Sequence, residues 1–230
     1  MGINRNQNVY QDAISIPGAQ QAHTVLAASK TVAVFDAEDA RDLLCVIGIH
    51  KYLKTSFGAN ANLNFIAKVA GANPPAITIA FVVAGTNTPL TVVVASNAIT
   101  INVATNGAGA ATSTASQVLA AVQASVAATA LVGAELQAGN DGTGVVAALG
   151  ATGLGGPAGT NPTLDCKLQG TIDGAVNFFD VAAFAQKTAL SLESRLFANV
   201  GMKNQWVITL GGTTPEFGVS ITAIHRPYAS

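Results

Sequence analysis

The chain has 230 residues and a formal net charge of −1; half of its residues are hydrophobic, but only 10% are charged and 6% aromatic. The charged share is less than half of the ~25% usual in soluble proteins, so Thr, Ser, Asn, Gln and backbone must supply the polar surface. So neutral a chain offers no electrostatic footprint for nucleic acid or anionic lipid, and its length suffices for one large β domain or two small ones.

Met1 to Gln20 reads as an N-terminal arm. It is rich in Asn and Gln, broken at Pro17-Gly18, and holds neither helical nor strand periodicity for long. Such a segment buries too little surface to offset its ordering entropy, so it is expected to be mobile in the free protein. Ile3, Val9, Tyr10, Ile14 and Ile16 are spaced as anchors that an extended arm docks on a neighbour. Asn6, Gln7, Asn8, Gln11 and Asp12 interrupt any apolar core of a secretory signal. No run reaches the ~18 unbroken apolar residues of a spanning helix. The expectation is a soluble protein made in a cytoplasm.

The elements that follow are mostly strands. Thr31 to Phe35 and Leu43 to Ile49 are β-rich. Leu63, Phe65, Ala67 and Val69 alternate with Asn64, Ile66 and Lys68. Ile77, Ile79, Phe81 and Val83 share one strand face. Gly85-Thr86-Asn87 turns into Leu90 to Val94, and Ser96-Asn97 turns into Ile99 to Val103. A helix is expected next, capped by Thr112, Ser113 or Thr114. Its stripe of Ala115, Val118, Leu119, Val122, Val126 and Ala130 spans ~120°, and Gly133 ends it. A short strand around Leu136 precedes a Gly-rich run from Gly139 to Gly159. Leu164, Cys166 and Leu168 then alternate with Asp165, Lys167 and Gln169. Asp173-Gly174 is a hairpin signal, since both positions tolerate positive φ. Val176 to Val181, Trp206 to Leu210 and Phe217 to Ile224 complete the strands.

Charge divides the chain. Between Ala70 and Pro162 only Glu135 and Asp141 are charged, and the flanks carry the rest. The expected fold is mainly β. A jelly-roll-like β-sandwich forms from 21–59 and 161–230, and 60–160 is an inserted α+β domain of antiparallel strands and one helix.

Few residues suggest chemistry. Gly142-Thr143-Gly144-Val145-Val146-Ala147 fits GxGxxA, but a dinucleotide site needs it at a strand–helix turn with an acidic residue ~20 positions on. Nothing acidic follows until Asp165, so a Gly-rich loop is the reading. Asn140-Asp141-Gly142 lacks the further carboxylates that calcium requires and reads as a turn. His23, His50 and His225 are scattered, with no HxH or HxxxH pair to share a metal. Asp36, Glu38, Asp39 and Asp42 gather with Arg41 in what is most simply a solvated turn, and a catalytic acid–base pair there is the minority reading. Cys45 and Cys166 are read as buried small hydrophobes, and Trp206 as core. No catalytic, cofactor-binding or metal-binding residue is therefore assigned, no cofactor is expected, and an enzyme is the least favoured class.

Several stretches carry a resemblance. Asn64 to Gly71, the strands to Val103, the helix from Thr114-Ala115, Leu131-Val132, Gly139 to Gly144 and Leu154-Gly155-Gly156 resemble an inserted domain of tailed-phage structural proteins. Leu164 to Gln169, Asp173-Gly174, Phe179-Asp180-Val181 and Leu210 to Phe217 resemble the strands that follow it in such proteins. The resemblance covers roughly the last three-quarters of the chain. It implies a virion structural protein, first of all a capsid decoration (cement) protein on the shell surface, assembled in the host cytoplasm. The implied partners are the major capsid protein and further copies of the chain in a symmetric oligomer such as a trimer, with neither nucleic acid nor membrane. A tail or head–tail junction component is the alternative the resemblance allows, and a carbohydrate-binding adhesin is the alternative from another class.

Overall fold

The computed structural model describes residues 9–10, 24–31, 35–36, 40–171, 177–198 and 203–227. The fold is mainly β, with fifteen strands and two short helices among those residues. The chain divides into two compact units, one from Met1–Ile49 with Pro157–Ser230, the other from His50–Gly156. The second begins ten residues before the expected boundary at 60, because one strand, Ala40–Lys54, runs through that region without a break.

The discontinuous unit contains β1 (Val9–Tyr10), β2 (Thr24–Leu26), β3 (Lys30–Thr31), β4 (Phe35–Asp36) and the first part of β5 (Ala40–Lys54). After the insertion come β12 (Ala158–Thr171), β13 (Phe179–Ala183), β14 (Ser191–Ala198) and β15 (Lys203–Pro227). In one layer β13, β12 and the first half of β15 pair antiparallel, with Leu164 opposite Leu210 and Leu168 opposite Trp206. In the other, β14 pairs with β5, and the second half of β15 takes β2 and β1 as partners.

The two expected strands 206–210 and 217–224 are thus one strand that passes between layers. The passage occurs where pairing with β12 slips near Thr160 and Thr163, with Gly212 and Thr214 at positive φ. Bulges of this kind let a strand turn a sandwich corner. Leu43, Cys45, Ile47 and Ile49 from one layer and Leu164, Cys166, Leu168, Trp206 and Ile208 from the other form a single buried core. The alternation in β12 is realised as expected: Leu164, Cys166 and Leu168 point inward, whereas Asp165 is exposed and Lys167 and Gln169 are half-buried.

The expected turn at Asp173-Gly174 lies outside the described residues, although Gly170 pairs with Phe179 on either side of it. The expected arm, 1–20, also lies outside them except for Val9–Tyr10. Those two residues pair with Ile224 and Ala223 of the same chain.

The continuous unit contains β6 (Leu63–Ala70), β7 (Thr78–Val82), β8 (Thr91–Ala95), β9 (Ala98–Asn102), α1 (Ala115–Ala124), α2 (Val126–Leu131), β10 (Val132–Leu136) and β11 (Leu149–Gly153). β6 lies between the end of β5 and β10, antiparallel to both. A four-stranded sheet runs β11-β7-β9-β8. Ile79, Phe81, Ile99 and Ile101 of this sheet share a buried core with Leu63, Phe65, Val118, Val122 and Val132.

Two expectations about this unit are corrected. The sheet is not wholly antiparallel, since β7 and β9 pair in parallel, Ile79 beside Ile99. Thr88 and Thr105 explain it. Their hydroxyls meet at 2.8 Å, and Thr105 N–H donates to the Thr88 carbonyl. The chain after β7 is thereby held against the segment that follows β9, so β8 lands beyond β9 and not beside β7. Nor is there one helix. Ser125 leaves helical geometry at ψ 106° and caps a second helix by accepting from Ala128 N–H. The interruption shifts the helical phase and leaves Val126, expected on the buried stripe, 85% exposed. Gly133 does not end the helix but lies within β10.

Candidate functional site

The Gly-rich loop packs on the start of α1 and is the first place to test for a ligand site. Thr114 caps α1 through a capping box, its hydroxyl accepting from Gln117 N–H while the Gln117 amide oxygen accepts from Thr114 N–H. The next two amides are also occupied: Ala115 N–H donates to the Gly144 carbonyl and Ser116 N–H to that of Gly142. Gly144 N–H in turn donates to the Asn60 carbonyl. A phosphate-binding helix start needs such amides free. Here glycine carbonyls consume them, and the loop follows α1 in the chain instead of leading into it.

The same packing explains the glycines. A Cβ on Gly144 would stand 2.8 Å from Ala61 N and closer still to the Ala59 carbonyl oxygen. Gly142 has φ +78°, and a Cβ there would strike the Ser116 hydroxyl. GxG in this chain therefore serves backbone packing.

Asp141 is exposed and turns back on its own loop. Its Oδ1 accepts from Thr143 N–H at 2.9 Å and from the Thr143 hydroxyl at 2.7 Å. These bonds hold its carboxyl below the ordinary carboxylate value. Glu135, the other charged residue of the neutral stretch, is buried in β10 and accepts from Asn64 Nδ2 at 2.9 Å.

Among the described residues the remaining candidates do not gather. His50 is buried in β5. His23, Glu38 and Asp39 lie outside the described residues, as do the side chains of Asp36, Arg41, Asp42 and His225. No group of three or more His, Cys, Asp or Glu suited to a metal occurs among the described residues. Cys45 and Cys166 are free and buried in opposite layers of the sandwich. Burial pushes the Cys45 thiol up to about 12, and burial together with Cys45 raises Cys166 as well. Neither is a nucleophile at neutral pH.

Polar side chains do gather on the outer face of the β13–β12–β15 layer, a cluster the sequence reading did not single out. Asp180 accepts from Lys167 Nζ at 2.9 Å and from Gln169 Nε2 at 2.7 Å, and Gln205 donates to Gln169 at 2.9 Å. Those bonds from Gln169 and Lys167 lower the Asp180 carboxyl from its ordinary value. Gln186 binds Asp165 alongside. Asp180 is bound by an ammonium and an amide of the same sheet and Asp165 by the amide of Gln186 in the loop after β13, while of the rings in this layer Trp206 is fully buried and Phe179 is exposed. The arrangement solvates the sheet face.

No helix among the described residues is long and apolar enough to cross a membrane. Comparison with family models, curated proteins and solved structures returns no match.

Proposed function

We propose that the protein is a non-enzymatic structural component of a phage virion, a decoration protein that binds the capsid surface and bridges shell subunits. The observation that carries this reading is the charge distribution of the continuous unit. Between Ala70 and Pro162 only Glu135 and Asp141 are charged, and with Glu135 buried against Asn64, Asp141 alone brings charge to the surface of that stretch; the unit's other charged residues, Lys51, Lys54 and Lys68, precede it.

Such a surface cannot keep a protein apart from its neighbours by repulsion. It presents small Thr, Ala, Val and Asn side chains, which lose little entropy when packed against another subunit. In a lattice of many copies that is an advantage, whereas on a free enzyme it invites aggregation. Each copy bound adds interface that exists only in the intact shell, so binding favours the shell by mass action. The sequence resemblance of stretches between Asn64 and Gly156, and of the strands after them, to tailed-phage structural proteins supports the same reading.

The test is to mix purified protein with shells that lack it, at low and at high salt, and to measure co-sedimentation and the heat resistance of the shells. Saturable binding, little weakened by salt, with raised heat resistance is the expected result, because burial and not ion pairing carries the contact. Failure to bind shells at either salt would refute it. Sedimentation with isolated tails instead would move the protein to the tail.

A further inference from the structure

Strand β14 is turned the wrong way round for a solvent-facing edge. Leu192 and Leu196 point outward, 61% and 49% exposed, and Leu196 lies directly opposite Leu44, itself 36% exposed. The charged residues between them are turned toward the inner side of the layer with Phe197. Glu193 is anchored by Lys187 and accepts from Ala185 N–H, and Arg195 donates to the Ala183 carbonyl. A slip of one residue would bury the leucines and free the charges. The register excludes it: eight consecutive residues of β14 pair with β5 without a bulge, and Phe197, opposite Leu43, is buried. Among the described residues β14 has β5 as its sole strand partner, and no described strand pairs with its other edge.

We infer that this edge is a two-fold interface, with β14 pairing antiparallel to β14 of a second copy of the chain about an axis through Ser194. The sequence Leu192-Glu193-Ser194-Arg195-Leu196 is self-complementary in that geometry. Leu192 stands opposite the partner's Leu196 on the outer face, and Leu196 opposite the partner's Leu192. Glu193 stands opposite the partner's Arg195 on the inner face, and Arg195 opposite the partner's Glu193. The only residue that meets itself is the uncharged Ser194. Directly opposite cross-strand pairs bring Cβ atoms within ~4.5–5.5 Å, where apolar and opposite-charge pairs are favourable and like charges are not.

Pairing satisfies the second backbone edge of β14 and joins the two leucine rows into one apolar strip, as an isologous interface requires. The occupant is thus a second copy, because both the charges and the leucines match only when the strand meets its own reverse. This pairing is independent of what the assembled protein attaches to.

The full-length chain is tested by analytical ultracentrifugation together with two variants at the exposed Ser194. The wild type is expected to contain an even number of chains. Ser194→Arg sets two like charges on the axis and is expected to lose the two-chain species while keeping the wild type's circular dichroism spectrum. Ser194→Cys is expected to cross-link to its mate under mild oxidation, far faster than Ser96→Cys in the other unit. A wild type that sediments as a monomer or a trimer, a Ser194→Arg protein of unchanged size, or equal cross-linking of the two cysteine variants would each overturn the interface.

Discussion

The ring of Phe197 and the indole of Trp206 meet across the sandwich, their centroids 6.1 Å apart, and Phe184 packs on both at 5.3 Å and 5.9 Å. Phe197 belongs to the β14–β5 layer and Trp206 to the β12–β15 layer, so the trio joins the two sheets at their core. Trp206→Ala is expected to destabilise the discontinuous unit by ~3–5 kcal/mol through lost burial and the cavity left behind. Urea unfolding of the variant checks this, with Thr209→Ser on the exposed outer face of β15 as a control near zero.

At Gly142 and Gly144 the loop on α1 has no room for a Cβ. Gly144→Ala is expected to cost ~1–3 kcal/mol, because backbone and not a movable side chain opposes the new methyl. Gly150→Ala, where nothing lies within 4 Å, is the matched control and is expected to be close to neutral. Thermal melts of the two proteins separate packing from a general intolerance of the region.

Both thiols are expected to be silent in the folded chain. At pH 8 a thiol reagent should label neither cysteine in native protein and both in denaturant, since burial holds Cys45 at about 12 against 9.0 ordinarily. The same shift sets an alkaline trend. Above about 9 the unfolded thiols release protons that the folded ones keep, so stability falls as the pH climbs from there toward 12.

Asp141 sets an acid trend of opposite sense. Thr143 N–H and hydroxyl favour its carboxylate, so the folded value lies below the ordinary 3.8 and the stabilisation is present above 3.8. It disappears as the pH falls through the lowered folded value. Asp141→Asn should therefore melt lower than wild type at pH 6, and the gap should close progressively below pH 4. A constant gap down to pH 2 would contradict the Thr143 account.

Much of this architecture was legible in the residues. The alternation of Leu164, Cys166 and Leu168 located the inner face of β12, and Ile99 and Ile101 that of β9, because one-sided burial leaves a period of two. Thr114 was among the possible caps, and Gln117 three residues on selects it through the capping box. What escaped reading depends on distant partners. The parallel pairing of β7 with β9 follows from a contact between Thr88 and Thr105, seventeen residues apart, which no local pattern encodes. The break at Ser125 was hidden because Val126 continues the apolar stripe in sequence while its cap, the Ser125 hydroxyl on Ala128 N–H, restarts the helix. The outward leucines of β14 escaped for the same reason. Their alternation with Glu193 and Arg195 is visible, but which face is buried depends on Lys187 and Ala183 in the preceding segment.

Electron cryomicroscopy of virions carrying a small tag on the protein tests most directly the proposal that this chain decorates a phage shell. Tag density repeated over the capsid surface at lattice positions between shell subunits is the expected result. Virions with no copy of the chain, or tag density confined to the tail, would contradict it.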